Sequence, residues 1–276
     1  MASIGQIIFG SMIFLIVVIS GLIIFILAIA FSVSQGTVES SSPSIVGNLG
    51  QDVVMYCRFL TNNGNGQYDD VSITWQKDGL SGVVYEYKKK AAQLQGQNVQ
   101  FRNRVQLFPD VIYTGNASLL LRSVRWEDVG VYRCSVSAPK ISGTTSIDLK
   151  VAAFSAPTFT RQKEGSLTAE AQRWFPQPNV SWLSQSGELL NSSTQYSNNS
   201  ADIKQVVSVY EGPVKADDTY TCLIQNSLVK AVSEATVTGN GVTGKTYFIF
   251  NAASTKVSNF QLLLTVILIL SVIQKT

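Results

Sequence analysis

The side chains with the most reactive chemistry in this 276-residue sequence are three cysteines, Cys57, Cys134 and Cys222. Two thiols can close a covalent bridge, and a thiolate can attack a substrate or bind a metal. The sequence contains no histidine. Cys-His nucleophiles and Ser-His-Asp triads both need an imidazole that titrates near neutral pH, so neither can be built here. Zinc sites draw on histidine or clustered cysteine, and three scattered cysteines supply neither. Carboxylate pairs occur at Asp69-Asp70, beside a Gly/Asn-rich loop, and at Asp217-Asp218, just before Tyr220-Thr221-Cys222. Both read as turn residues. No Gly-rich phosphate loop and no nucleophile elbow is present. The expectation is a protein that is not an enzyme and takes no cofactor, metal or small-molecule substrate. A net charge of +3 is too slight to point to nucleic acid. The one basic run, Lys88-Lys89-Lys90, reads as a hairpin edge that blocks further strand pairing. Four Asn-x-Ser triplets, at Asn116, Asn179, Asn191 and Asn198, are candidate N-glycosylation sites in a secreted chain.

Bringing two distant cysteines together takes strands. Val53, Met55, Cys57 and Phe59 alternate on one strand face. Val71-Ser72-Ile73-Thr74-Trp75 alternates again, and Lys77-Asp78-Gly79 makes the turn after it. Leu119 and Leu121 alternate on a later strand, followed by Asp128-Val129-Gly130-Val131-Tyr132-Arg133-Cys134. A tyrosine two residues before the second cysteine, with a tryptophan after the first, marks an immunoglobulin-type sandwich. Cys57 and Cys134 would bridge its two sheets, with Trp75 packed on the bridge and Tyr132 at the corner. Their separation leaves room for the extra strands of a variable-type domain. In the chain-entropy model that bridge contributes about 4.5 kcal/mol. Arg104 and Asp128 are expected to pair at the sandwich end.

The plan repeats more briefly in residues 155–238. Arg173-Trp174-Phe175-Pro176-Gln177-Pro178 leads into Val180-Ser181-Trp182, and Asp218-Thr219-Tyr220-Thr221-Cys222 places a second tyrosine two before a cysteine. Where the first-strand cysteine should stand, the sequence has Ala169. Ala169 is expected to face Cys222, and no bridge forms. Cys222 is then either a buried, inert thiol or the source of an intermolecular disulfide. The fold class is therefore all-β: two tandem immunoglobulin-like sandwiches, variable-type over residues 43–152 and constant-type over 155–238, with apolar segments at both ends.

Residues 7–31 are almost continuously apolar, and the first charged side chain is Glu39. About 20 such residues span a bilayer as a helix. Ala28-Ile29-Ala30 and Ser32-Val33-Ser34 are small-x-small cleavage sites, so residues 1–34 read as a cleaved signal or an uncleaved anchor. Residues 239–259 read as a stalk and 260–276 as an apolar tail. The apolar run 260–273 would make a helix of about 21 Å, short of a ~30 Å hydrocarbon core. Small residues upstream, Asn251, Ala252 and Ala253, fit a glycosylphosphatidylinositol attachment signal. The alternative is a short, tilted helix. Either tether places the chain on the extracellular face of the plasma membrane.

Several segments carry a more specific likeness: Phe101-Arg102-Asn103-Arg104, Thr114-Gly115-Asn116-Ala117-Ser118-Leu119, Ala153-Phe154-Ser155, and Arg173 through Pro178. Here the chain resembles, over essentially its whole length, the butyrophilin-related family of T-cell co-stimulatory and co-inhibitory ligands. The resemblance implies a ligand that binds a protein receptor on T cells and restrains their activation, proliferation and cytokine production. Family members normally carry four bridging cysteines, and this chain lacks the one at Ala169. The alternative within the same fold is an adhesion molecule, homophilic or heterophilic. Candidate receptor contacts are Tyr85 and Tyr87, as aromatics on a β-face, and the last hairpin around Pro139, Lys140 and Ile141.

Overall fold

A computed structural model describes residues 4–33, 37–60, 70–139, 141–162, 165–198, 202–239 and 241–251. It divides into two compact units, residues 1–43 with 50–149 and residues 44–49 with 150–276. The short segment 44–49, assigned by sequence to the first domain, thus counts with the second.

The strands through the first domain are β1 (Thr37–Glu39), β2 (Ser44–Asn48), β3 (Val53–Met55), β4 (Arg58–Leu60), β5 (Ser72–Lys77), β6 (Tyr85–Lys88), β7 (Ala91–Ala92), β8 (Val105–Gln106), β9 (Leu119–Leu121), β10 (Gly130–Ala138) and β11 (Ile141–Ala152). One sheet runs β2-β11-β10-β5-β6-β7, another β3-β9-β8, and β1 pairs with β4. Strands β6 and β7 are the additions that the long Cys57-to-Cys134 separation leaves room for. They turn at Lys89 and Lys90, both at positive φ, so the lysine run is a tight hairpin as expected. Between the sheets lie Met55, Phe59, Ile73, Trp75, Leu119, Leu121 and Tyr132, all fully buried.

The second domain holds β12 (Thr158–Arg161), β13 (Leu167–Trp174), β14 (Asn179–Leu183), β15 (Leu189–Leu190), β16 (Ser192–Asn198), β17 (Lys204–Tyr210), β18 (Thr219–Gln225), β19 (Val229–Thr238) and β20 (Gly241–Phe250). Its sheets run β12-β13-β17-β16 and β15-β14-β18-β19-β20. Cys222 is free and buried, and Ala169 lies in the same core on the facing sheet. Aromatic rings fill the centre. Phe159 meets Trp182 edge-on at 6.0 Å, Trp182 lies 6.4 Å from Tyr210, and Tyr210 lies 5.5 Å from Tyr220. Such pairs contribute about 0.5–1.5 kcal/mol each beyond their burial, which offsets part of what a missing bridge costs. The Arg173–Pro178 segment ties in the domain's entry: Arg173 donates to the Leu49 carbonyl at 2.7 Å, and Trp174 Nε1 to the Ser155 carbonyl at 3.2 Å.

The stalk expected at 239–259 needs correction. Residues 241–250 are strand β20, paired to β19 along its whole length. Residues 252–276, including Ala252, Ala253 and the apolar tail, lie outside the described residues. At the other end, α1 (Ile4–Val33) is a 30-residue helix. The side chains described within it beyond Gly5 are those of residues 12–26, all exposed. Among the described residues, no helix is long and apolar enough to cross a membrane.

Candidate functional site

The face on which a partner could land is built from the first domain's covalent centre outward. Cys57 and Cys134 are bridged, with Cα atoms 6.5 Å apart. Trp75 sits opposite Cys134 in the β5–β10 register and donates its indole N–H to the Ala117 carbonyl at 2.9 Å. At the sandwich end, Asp128 is fully buried. One carboxylate oxygen takes the Arg104 guanidinium at 2.5 Å and the Arg125 backbone N–H at 2.8 Å; the other takes Gln100 at 3.1 Å. Burial pushes the Asp128 carboxyl up, but these donors outweigh it and hold it below its ordinary value. The Tyr132 hydroxyl donates to the Asp128 carbonyl at 2.8 Å, closing the tyrosine corner. Burial raises Tyr132, so its hydroxyl stays a proton donor.

This frame decides which side chains point outward. Tyr85 pairs with Trp75 and Tyr87 with Ile73 across β5–β6. Directly opposite residues share a face, so both tyrosines share the core side with Trp75. Tyr87 is 6% exposed and hydrogen-bonds Tyr113; Tyr85 is half-buried. Burial raises both phenols. Tyr87 is therefore a core residue and not a surface contact. In the last hairpin Pro139 is exposed, Ile141 is buried at 2%, and Lys140 lies outside the described residues. Of the five candidate contacts, Pro139 is exposed and Tyr85 partly so.

The outward residues are those of opposite parity: Thr74 and Gln76 on β5, Glu86 on β6, Arg133 and Ser135 on β10, and Thr144 on β11. They form a polar face. The hydroxyls of Ser135 and Thr144 lie 2.9 Å apart, and Arg133 makes a two-pronged pair with Asp78, Nε to Oδ1 at 2.8 Å and Nη2 to Oδ2 at 2.9 Å. Underneath, Lys77 Nζ lies 5.9 Å from the Tyr132 ring centre and donates to the Glu127 carbonyl. Burial lowers Lys77, with Asp128 and Glu127 acting the other way. Counting parity from Trp75 and Cys134 would have found the β5 and β10 part of this face in the sequence.

None of the four glycosylation candidates lies on it. Asn116 bridges to Arg58 just before β9, and its carboxamide oxygen accepts the Ser118 backbone N–H at 2.9 Å. Asn179, Asn191 and Asn198 are exposed on the second domain. Asn251, the described member of the candidate lipid-attachment set, is held in the fold. Its backbone N–H donates to the Leu228 carbonyl at 2.9 Å and its carboxamide to the Ser227 carbonyl at 3.1 Å. Among the described residues, no cluster of His, Cys, Asp or Glu could hold a metal ion.

Residues 40–152 match the immunoglobulin V-set domain, and residues 158–233 match the butyrophilin subfamily 3 member A2-like Ig-C domain. The chain is 34% identical over 270 residues to human V-set domain-containing T-cell activation inhibitor 1, covering 94% of each. It is 36% identical over 250 residues to the rat protein of that name, covering 88% of this chain and 87% of the relative. A crystal structure of the human B7-H4 IgV-like domain is 33% identical, covering 42% of this chain and 96% of that one, with a TM-score of 0.38. With one-third identity running through both domains, the chain belongs to the V-set domain-containing T-cell activation inhibitor family.

Proposed function

We propose that this chain is a cell-surface ligand that binds a protein receptor on T cells and restrains their activation. The observation that carries the reading is the 34% identity, over 94% of both chains, to a protein named as a T-cell activation inhibitor. The family is one of non-enzymatic immunoglobulin-type ligands and receptors. The receptor docks on the outward face of β5, β6 and β10, around Thr74, Glu86 and Arg133. That face is free of glycosylation candidates, and arginine is enriched at binding hot spots. Helix α1 serves as a secretion signal or anchor, and residues 252–276 carry the C-terminal tether. The exposed asparagines carry glycans. The test is conjugate formation between activated T cells and cells displaying the full chain. Reversing charge with Glu86→Arg and Arg133→Glu together should abolish conjugates without lowering surface expression. Conjugates unchanged by the double variant would place the contact elsewhere. Clustering of the displaying cells with one another, and none with T cells, would make the chain an adhesion molecule.

A further inference from the structure

Strand β20 is the outermost strand of its sheet. Its last residues expose large apolar side chains: Tyr247 at 50%, Ile249 at 46% and Phe250 at 49%. Its other side is anchored. Phe248 packs on Phe154 with ring centres 5.0 Å apart and the rings tilted by 56°, and Phe250 lies 5.6 Å from the same ring. The outer face continues onto β19, where Val232 pairs with Tyr247 and Lys230 with Ile249. Glu234 pairs with Lys245 on the same face. The result is an apolar edge with lysines beside it, the mixture that settles at a lipid–water boundary, where lysine stems lie along apolar surface.

Chain length identifies the occupant. Strand β20 runs from Gly241, beside Thr238, to Phe250, beside Val229. The chain leaves from the Phe250 end, where Asn251 is hydrogen-bonded to Leu228. The apolar run of the tail begins at Phe260. Nine residue steps reach at most about 32 Å in any conformation, and β20 is itself about 31 Å long. A tail inserted in the bilayer therefore enters within about 32 Å of Asn251. A lipid attached at residues 251–253 would leave from the same end.

We propose that the β20 edge of the second domain rests on the bilayer, with Tyr247 and Ile249 in the interfacial layer. This rests on the reading that the C-terminal end tethers the chain to a membrane. Asn179 stands in the same cross-strand row as Ile249, through Gln225 and Lys230. Three strand spacings put it about 14 Å away, so a glycan there confines the contact to the β20 edge. Residues that bind the interface would then hold the domain in one orientation relative to the lipid.

The test reconstitutes the full chain in phosphatidylcholine vesicles carrying spin-labelled phosphatidylcholine. A nitrobenzoxadiazole fluorophore is placed, one per variant, at Ile249→Cys, Leu189→Cys or Leu268→Cys. Cys222 is buried and does not compete for label. Leu189 is 70% exposed on β15, at the far edge of the same sheet, and serves as the control. The label at 249 should lose roughly half its emission, because interfacial groups sit ~5–10 Å into the headgroup boundary. The label at 268 should be quenched as well, and the one at 189 should not. Quenching at 268 without quenching at 249 overturns the docking proposal and leaves the tether intact. No quenching at 268 removes the tether, and the proposal with it. Quenching at 249 that needs two labelled copies and no spin-labelled lipid assigns the edge to a second copy of this chain.

Discussion

At the scale of single residues, the two cysteine environments lead to opposite expectations. Cys222 is fully buried, and burial pushes its thiol up from 9.0 to about 12. A folded-state value above the unfolded one means that stability is fully present below pH 9 and is lost as pH rises toward 12. The fall is at most about 1.4 kcal/mol per pH unit. Urea unfolding of the second domain between pH 9 and 11 should show that slope, and Cys222→Ala should lack it. Ala169→Cys should restore the absent bridge and add ~2–4 kcal/mol; two titratable thiols remaining in the folded variant would contradict that. Asp128 has the opposite sign. Its folded value is depressed, so its contribution is present above the ordinary carboxylate value near 3.9 and is lost as pH falls through the lower folded value. Asp128→Asn should flatten the acid limb of the first domain's stability curve. Tyr87→Ala should cost about 3 kcal/mol through its cavity, read as a lower melting temperature, while Glu86→Ala leaves melting unchanged.

At the scale of elements, the legible part of the fold was the part with fixed chemistry. Cys57, Trp75, Tyr132 and Cys134 have types and spacings that only one sandwich satisfies, and the Arg104–Asp128 pair formed as expected. The facing of Tyr85 and Tyr87 was misjudged because parity does not carry across an irregular connection. Residues 78–84 separate β5 from β6, and only the cross-strand register reveals which side is inward. Strand β20 was missed although its signal is in the sequence. Asn240-Gly241 is a strong hairpin dipeptide, followed by Val242, Thr246, Tyr247, Phe248 and Ile249. The expectation that a constant-type domain ends with β19 hid it. Gly115, within the Gly-Asn-Ala-Ser segment, has a mechanical reason. Its φ is +92°, and an added Cβ would crowd the Phe59 backbone carbonyl, whose own N–H bonds the Gly115 carbonyl at 2.9 Å. Gly115→Ala should therefore destabilise the first domain by at least ~1–3 kcal/mol, measured by thermal unfolding.

At the scale of the whole molecule, the two domains differ in how they are held together. The first rests on a covalent bridge and a buried ion pair; the second rests on stacked aromatics, an unpaired thiol and an added edge strand. A reductant should therefore lower the melting temperature of the first domain and leave the second unchanged. The division fits a ligand whose first domain presents the polar face around Thr74, Glu86 and Arg133. The most direct test of the central claim is to display the full chain on cells that also deliver a T-cell receptor stimulus and to measure T-cell proliferation. Proliferation should fall relative to cells lacking the chain, and Glu86→Arg with Arg133→Glu should restore it. Proliferation unchanged or raised by the displayed chain would contradict the account.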